Sequence, residues 1–212
     1  MYVVLDTETS GLFRHYDENG RVVRSDDPSQ PYLAQLAMIL VNANFEIEGT
    51  FDAYVCPDGW EMQPGATAVN HLTTEFLMAN GRPAEEVLPH YTAAIKEGRS
   101  AVAFNAQHDL RTMRGALRRA GMDDLFEQTP NICVMRALLN ICCVPRKRGN
   151  GFRWPKLREA MEYFDLPFEK AHEGPGDALA AYQLLCKLNE MGDLPEPRVY
   201  HAKNFLAEEE AV

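Results

Sequence analysis

The chain has 212 residues, 46% of them hydrophobic, which predicts one domain with a sizeable core and excludes global disorder. Its formal net charge of −10 excludes a strong, metal-free, non-specific nucleic-acid binder driven by counterion release. No apolar run approaches the length of a membrane span, and no basic-then-apolar segment opens the chain, so neither a membrane protein nor a secretory leader is expected.

The first element is short and apolar, Tyr2-Val3-Val4-Leu5, and reads as a buried strand running into Asp6. Residues 13–30 are polar and turn-rich, and Asn19-Gly20 within them signals a loop or small hairpin. LAQLAMILV (33–41) and the partly alternating stretch 45–57 read as two strands joined by a turn at Asn42-Ala43-Asn44. Pro57 and Pro64 then mark a loop. Helices are expected over 73–79 and 83–97, with Pro83 near the start of the second. SAVAF (100–104) is another apolar strand. Residues 107–121 carry helical periodicity through Leu110, Met113, Leu117 and Ala120, closed by Gly121. Residues 131–142 begin apolar and become helical. PRKRGNGFR (145–153) is a basic, glycine-containing loop, and 155–164 and 175–191 read as helices. The domain is expected to span 1–193, with 13–30 as an insertion and 194–212 as an acidic tail.

This order predicts an α/β domain with a mixed sheet, whose ligands sit beyond the carboxyl ends of the parallel strands. The five cysteines (Cys56, Cys133, Cys142, Cys143 and Cys186) include no Cys-x-x-Cys pair. Their spacing fits neither a zinc ribbon nor a disulfide scaffold, and buried reduced thiols in a cytoplasmic protein are the better reading. The Cys142-Cys143 pair is expected in a partly buried segment.

Asp6 and Glu8 alternate onto one face at the end of the first strand. Two carboxylates that close repel unless a cation compensates them. A solvated strand end is the plain alternative; the apolar approach and the tight Ser10-Gly11 turn favour a metal site. Asp109 follows the strand SAVAF in the first turn of a helix, and Asn105 stands at the N-cap position. Gly174-Pro175-Gly176 reads as an irregular approach that puts Pro175 near a helix start and Asp177 in its first turn. His172 lies on that approach and can swing toward the same place.

Taken together, these segments resemble the DnaQ-like, DEDD-type 3′–5′ exonucleases, in the subgroup that uses histidine. DTETSGL (6–12) matches that family's first motif, Asn105 to Asp109 its second, and His172, Asp177 and Ala178 its third. Lys156-Leu157 fits the segment preceding the third motif. Four positions depart from the pattern, His108 standing where Phe is common, Gly174 where Ala is common, and Asn70-His71 in place of a His-Gly pair, and residues 13–30 are longer than the usual link to the second strand. The resemblance implies a ribonuclease H-like, mixed five-stranded sheet flanked by helices. It also implies hydrolysis from the 3′ end of single-stranded DNA or RNA, with release of nucleoside 5′-monophosphates.

The implied cofactors are two divalent cations, Mg²⁺ or Mn²⁺, held by Asp6, Glu8, Asp109 and Asp177, with His172 as general base. Thr9, Ser10, Leu12, Asn70, His71 and Asn105 are the implied substrate contacts. For Leu12 the choice between core packing and stacking on the last base stays open. Arg146, Lys147, Arg148 and Arg153 form either a phosphate-tracking patch or a solvated loop. A homodimer or a polymerase partner is left open, as is DNA against RNA. A haloacid-dehalogenase-type phosphatase also opens on a strand with paired acids, but Ala181 stands where its last acid belongs. A catalytically silent binding module would be expected to lose one of the acids or the histidine, and all five are present.

Overall fold

The computed structural model describes residues 1–168 and 174–199. Three strands, β1 (Tyr2–Thr9), β2 (Leu33–Val41) and β3 (Ile47–Tyr54), form an antiparallel meander. Two shorter strands, β4 (Ser100–Ala103) and β5 (Asn131–Cys133), add on the other side of β1 and run parallel to it. The sheet order is β3-β2-β1-β4-β5, the mixed five-stranded sheet expected from the sequence. Parallel neighbours need crossovers. Helices α1 (Pro64–Asn70), α2 (Thr74–Asn80) and α3 (Ala84–Lys96) carry the chain from β3 to β4, and α4 (Ala106–Arg119) carries it from β4 to β5. After β5 come α5 (Val134–Ala137), α6 (Leu139–Cys142), α7 (Leu157–Tyr163) and α8 (Gly174–Met191).

Both faces of the sheet are covered, which is why β1 and β2 read as continuous apolar runs rather than alternating ones. Val3, Leu5, Leu36 and Met38 pack under α3 and α4, against Val87, Leu88, Leu110, Met113 and Leu117. Val4, Ala37, Ile39, Val102 and Ile132 pack on the other face, against Met161, Ala181, Leu184 and Leu188 of α7 and α8. The alternation of β1 therefore decides which helix each of its polar residues meets.

Two local readings need correction. Pro64 does not sit in a loop: it occupies the first turn of α1, where its missing N–H costs no hydrogen bond. Gly174-Pro175-Gly176 is the first turn of α8 itself, and a Cβ at Gly174 would stand 3.2 Å from the Gln35 amide beneath it. Residues 131–142 do begin apolar, as β5, and become helical, the helical part being divided into α5 and α6 at Leu138. The thiols differ among themselves as well: Cys133 is buried, Cys142 half-buried and Cys143 exposed.

The 13–30 insertion does contain a small hairpin. Tyr16 pairs antiparallel with Val22, and Asp17 Oδ1 accepts the N–H groups of Asn19 and Arg21 at 2.8 Å each. Arginines of α4 fasten it. Arg111 donates to the carbonyls of Arg14 and Val23, and Arg119 to those of Ser25, Asp27, Gln30 and Pro31. Beyond α8, Leu194 packs on the second core and Arg198 bridges Asn131 of β5. Among the described residues no helix is long and apolar enough to cross a membrane.

Candidate active site

The site is built where β1 outruns its parallel neighbour. β4 pairs with β1 only from Tyr2 to Val4, so the N–H of Thr7 has no strand partner on that side. Asp109 fills the gap. Its Oδ1 accepts both the Thr7 backbone N–H, at 3.0 Å, and the Thr7 hydroxyl, at 2.9 Å. A buried backbone donor is thus satisfied, and a carboxylate 102 residues away is fixed against the strand. Asp109 is only 4% exposed, in the first turn of α4.

Asp6 and Glu8 share the opposite face, the one covered by α8. Asp177 lies in the first turn of α8, where the partial positive charge of the helix end favours a carboxylate. Three elements therefore deliver four acids to one place. His172 lies outside the described residues.

The electrostatics show how close the acids are. Burial pushes the Asp6 carboxyl well above its usual range, and Asp109, Glu8 and Asp177 push it further. Burial raises Glu8 to about 7; a hydrogen bond from Asn70 opposes the rise, and Asp177 adds to it. Asp109 is also raised to about 7, by burial first, against the two Thr7 bonds that favour its charged form. Such a set cannot be fully ionised without a compensating cation. The donors are all carboxylate oxygens, the hard ligands that suit Mg²⁺ or Mn²⁺, so they fit the expected cofactor class. Among the described residues no three His, Cys, Asp or Glu side chains already close around an ion. Carboxylates that repel one another are expected to stand apart until a cation draws them in.

The expected substrate contacts divide into two groups. Ser10 is committed to the fold: its N–H donates to the Tyr32 carbonyl, its Oγ accepts from the Tyr32 N–H, and its carbonyl accepts from Gln63. Thr9 donates from its hydroxyl to the Gly11 carbonyl at 2.9 Å. Asn70 is buried and positions other groups. Its amide donates to the Thr9 carbonyl at 3.3 Å and bonds to Glu8, while its Oδ1 accepts from Leu72. Asn105 is exposed, and its side chain makes no cap; only its carbonyl accepts from His108 and Asp109. The outward-facing group is Asn105, Leu12, which is 86% exposed, and His71, exposed at the left-handed end of α1. Leu12 packs in no core, which removes the core-packing alternative.

His108 faces the insertion, edge-on to Phe13 at 5.4 Å between centroids. Burial, with Arg111 and His15 nearby, lowers it to about 4, so it stays neutral near pH 7. Sequence reasoning missed Thr7 as the clamp on Asp109 and Asn70 as the support of Glu8. The only available signal for Thr7 was its odd position in β1, facing α4 and not α8.

A family model described as Exonuclease, RNase_T, matches residues 3–185. Comparison with curated proteins returns no significant match. Among solved structures, E. coli exonuclease I in complex with a dT13 oligonucleotide is similar with a TM-score of 0.69 and 17% identity, over 91% of this chain and 42% of that one. The zinc-bound form of an E. coli exonuclease I–ssDNA complex aligns with a TM-score of 0.69 and 17% identity, over 89% of this chain and 40% of that one. A 3′-exonuclease recognising a histone mRNA stem-loop aligns with a TM-score of 0.68 and 15% identity, over 93% of this chain and 84% of that one. The chain thus spans well under half the length of the exonuclease I chains, and at these identities the likeness concerns the fold. With the family model running from β1 into α8, through every element that carries an acid, this chain belongs to the exonuclease family.

Proposed function

We propose that the chain hydrolyses single-stranded DNA or RNA from the 3′ end and releases nucleoside 5′-monophosphates. The observation that carries this reading is the convergence of Asp6, Glu8, Asp109 and Asp177, whose burial and mutual repulsion raise the first three. The neighbours' printed substrates, an oligonucleotide and a histone mRNA stem-loop, support the choice of nucleic acid. When bound, two divalent cations held by these four carboxylates would neutralise charge on the scissile phosphate and lower the pKa of a water.

The chain's own residues do the rest. Thr7 holds Asp109, and Asn70 holds Glu8, in the orientation needed for ligation. His172 takes a proton from the attacking water as the water oxygen bonds to phosphorus and the P–O3′ bond breaks, and the departing O3′ of the shortened strand takes a proton from solvent. Leu12 covers the terminal base with its exposed side chain.

With Mg²⁺, a 5′-labelled single-stranded oligonucleotide should shorten stepwise while free 5′-mononucleotides accumulate. Asp6→Ala and Asp177→Ala should abolish this, and variants as fast as the parent would show that the site is wrong. Parallel DNA and RNA substrates decide the preference.

A further inference from the structure

The protein is acidic overall, yet Arg146, Lys147, Arg148, Arg153, Lys156 and Arg158 lie within thirteen consecutive residues that contain no Asp or Glu. The structure gives this run a defined shape. Pro145 pairs antiparallel with Phe152, Arg146 N–H donates to the Gly151 carbonyl, and Arg153 N–H to the Val144 carbonyl. The result is a hairpin whose tip carries Lys147 and Arg148, both exposed. An open groove of about 630 Å³ beside it is lined by Arg146, Lys147, Arg153, Lys156 and Glu159.

Two large aromatic side chains stand out at the same place: Phe152 is 41% exposed and Trp154 48%. The guanidinium of Arg136 lies 5.3 Å from the centre of the Trp154 ring. Arg153 is held bidentately by Glu159, at 2.8 and 2.5 Å, so it shapes the groove and its charge is already matched. Arg146 spends its Nε on the Phe152 carbonyl. The cations turned outward include Lys147, Arg148, Lys156 and the remaining guanidinium nitrogens of Arg146.

The hairpin also lies on the relevant side of the sheet. β5 is parallel to β4 and β4 to β1, so their carboxyl ends open together. Arg136, under Trp154, is on α5, which begins directly at the end of β5. The Met135 N–H donates to the carbonyl of Phe104, in the segment that leads to Asp109.

We infer that the 144–153 hairpin, with Trp154 and Lys156 just after it, is a second nucleic-acid site, which binds the 5′-ward part of a single strand whose 3′ end lies at the carboxylates. Exposed rings offer stacking faces that tolerate any base, and the cations track phosphates; the combination favours single strands over duplexes. The inference rests on the proposed 3′-end reading for which end of the strand lies where. The patch itself stands on its own geometry.

The test is fluorescence anisotropy of a labelled long oligothymidylate with the full chain in EDTA, where nothing is cut, over a salt series. The triple variant Arg146→Ala/Lys147→Ala/Arg148→Ala should bind about tenfold more weakly and lower the log–log salt slope by about two. A charge-preserving triple, Arg146→Lys/Lys147→Arg/Arg148→Lys, should restore both. Trp154→Ala should weaken binding about tenfold while leaving the slope in place. With Mg²⁺, the alanine triple should raise KM for the long oligonucleotide and leave dinucleotide turnover unchanged.

Equal affinity and slope for parent and triple variant would overturn the inference whatever the activity. So would an equal loss on the dinucleotide, because the patch would then act on the catalytic end. If the parent cuts nothing but shows patch-dependent binding, the patch stands and the exonuclease proposal falls.

Discussion

Leu12 shows what one side chain adds to the site. A leucine left in water forgoes roughly 1.5–3 kcal/mol that burial would return. At 86% exposure it supports no part of the fold, and it stands two residues past Ser10, which is locked to the start of β2. A ligand that covered it would recover part of that energy. Leu12→Ala is therefore expected to leave thermal stability within about 1 °C of the parent, because no core contact is lost. It should raise KM for oligonucleotides severalfold with kcat nearly unchanged. A clear fall in melting temperature would place Leu12 back in the core. The acids of the site were legible one at a time: alternation put Asp6 and Glu8 together, and helix starts put Asp109 and Asp177 in first turns. Their supports were not legible. Thr7 meets Asp109 across 102 residues and Asn70 meets Glu8 across the sheet end, and no local pattern encodes a partner that distant.

At the scale of elements, α4 does two jobs. Its first turn presents Asp109 inward, and its arginines Arg111 and Arg119 hold the insertion by donating to backbone carbonyls. Gly115 makes the second job sterically feasible: a Cβ there would come 2.3 Å from the carbonyl oxygen of Ser25. Gly115→Ala must push that backbone away and disturb the Arg119 bonds beside it. The expected loss is about 1–3 kcal/mol in urea unfolding, the range for forced overpacking. Gly65→Ala in α1 is the contrast, since nothing lies within 4 Å of its added methyl. It should be neutral or stabilise by about 0.4–1 kcal/mol through the unfolded chain. If both glycines behave alike, the close contact with Ser25 is not real. The strands and long helices were readable because each carries an apolar run or stripe that only one covering arrangement can bury. Helix α1 was not, because PGATAVN has no stripe and its proline reads equally as loop and helix start. The start of α8 was legible to within one residue, because Pro175 and Asp177 are helix-start signals.

For the whole molecule, the raised carboxyls couple the site to global stability. Glu8 and Asp109 titrate at about 7 in the fold, against ordinary values of 4.5 and 3.8, and Asp6 is raised as well. Between those limits the folded state binds more protons than the unfolded one, so unfolding free energy falls as pH rises. The stabilisation is fully present below about pH 4 and is lost as pH passes through about 7. His108, lowered to about 4, works in the opposite direction below its ordinary value of 6.5, because the unfolded chain then takes up its proton. The clean window therefore runs from about pH 6.5 to about pH 8, where the imidazole is neutral in both states and the carboxyls are still ionising. In EDTA the melting temperature should drop by several degrees across that window. Mg²⁺ should reverse the drop, with little effect near pH 5, where protons occupy the carboxyls. Asp6→Asn removes one of the repelling charges, so it should flatten the EDTA profile and blunt the response to Mg²⁺. Differential scanning calorimetry at fixed ionic strength reads all three. A parent whose metal-free stability rises through the window and ignores Mg²⁺ would show that these four acids neither repel one another nor share a cation.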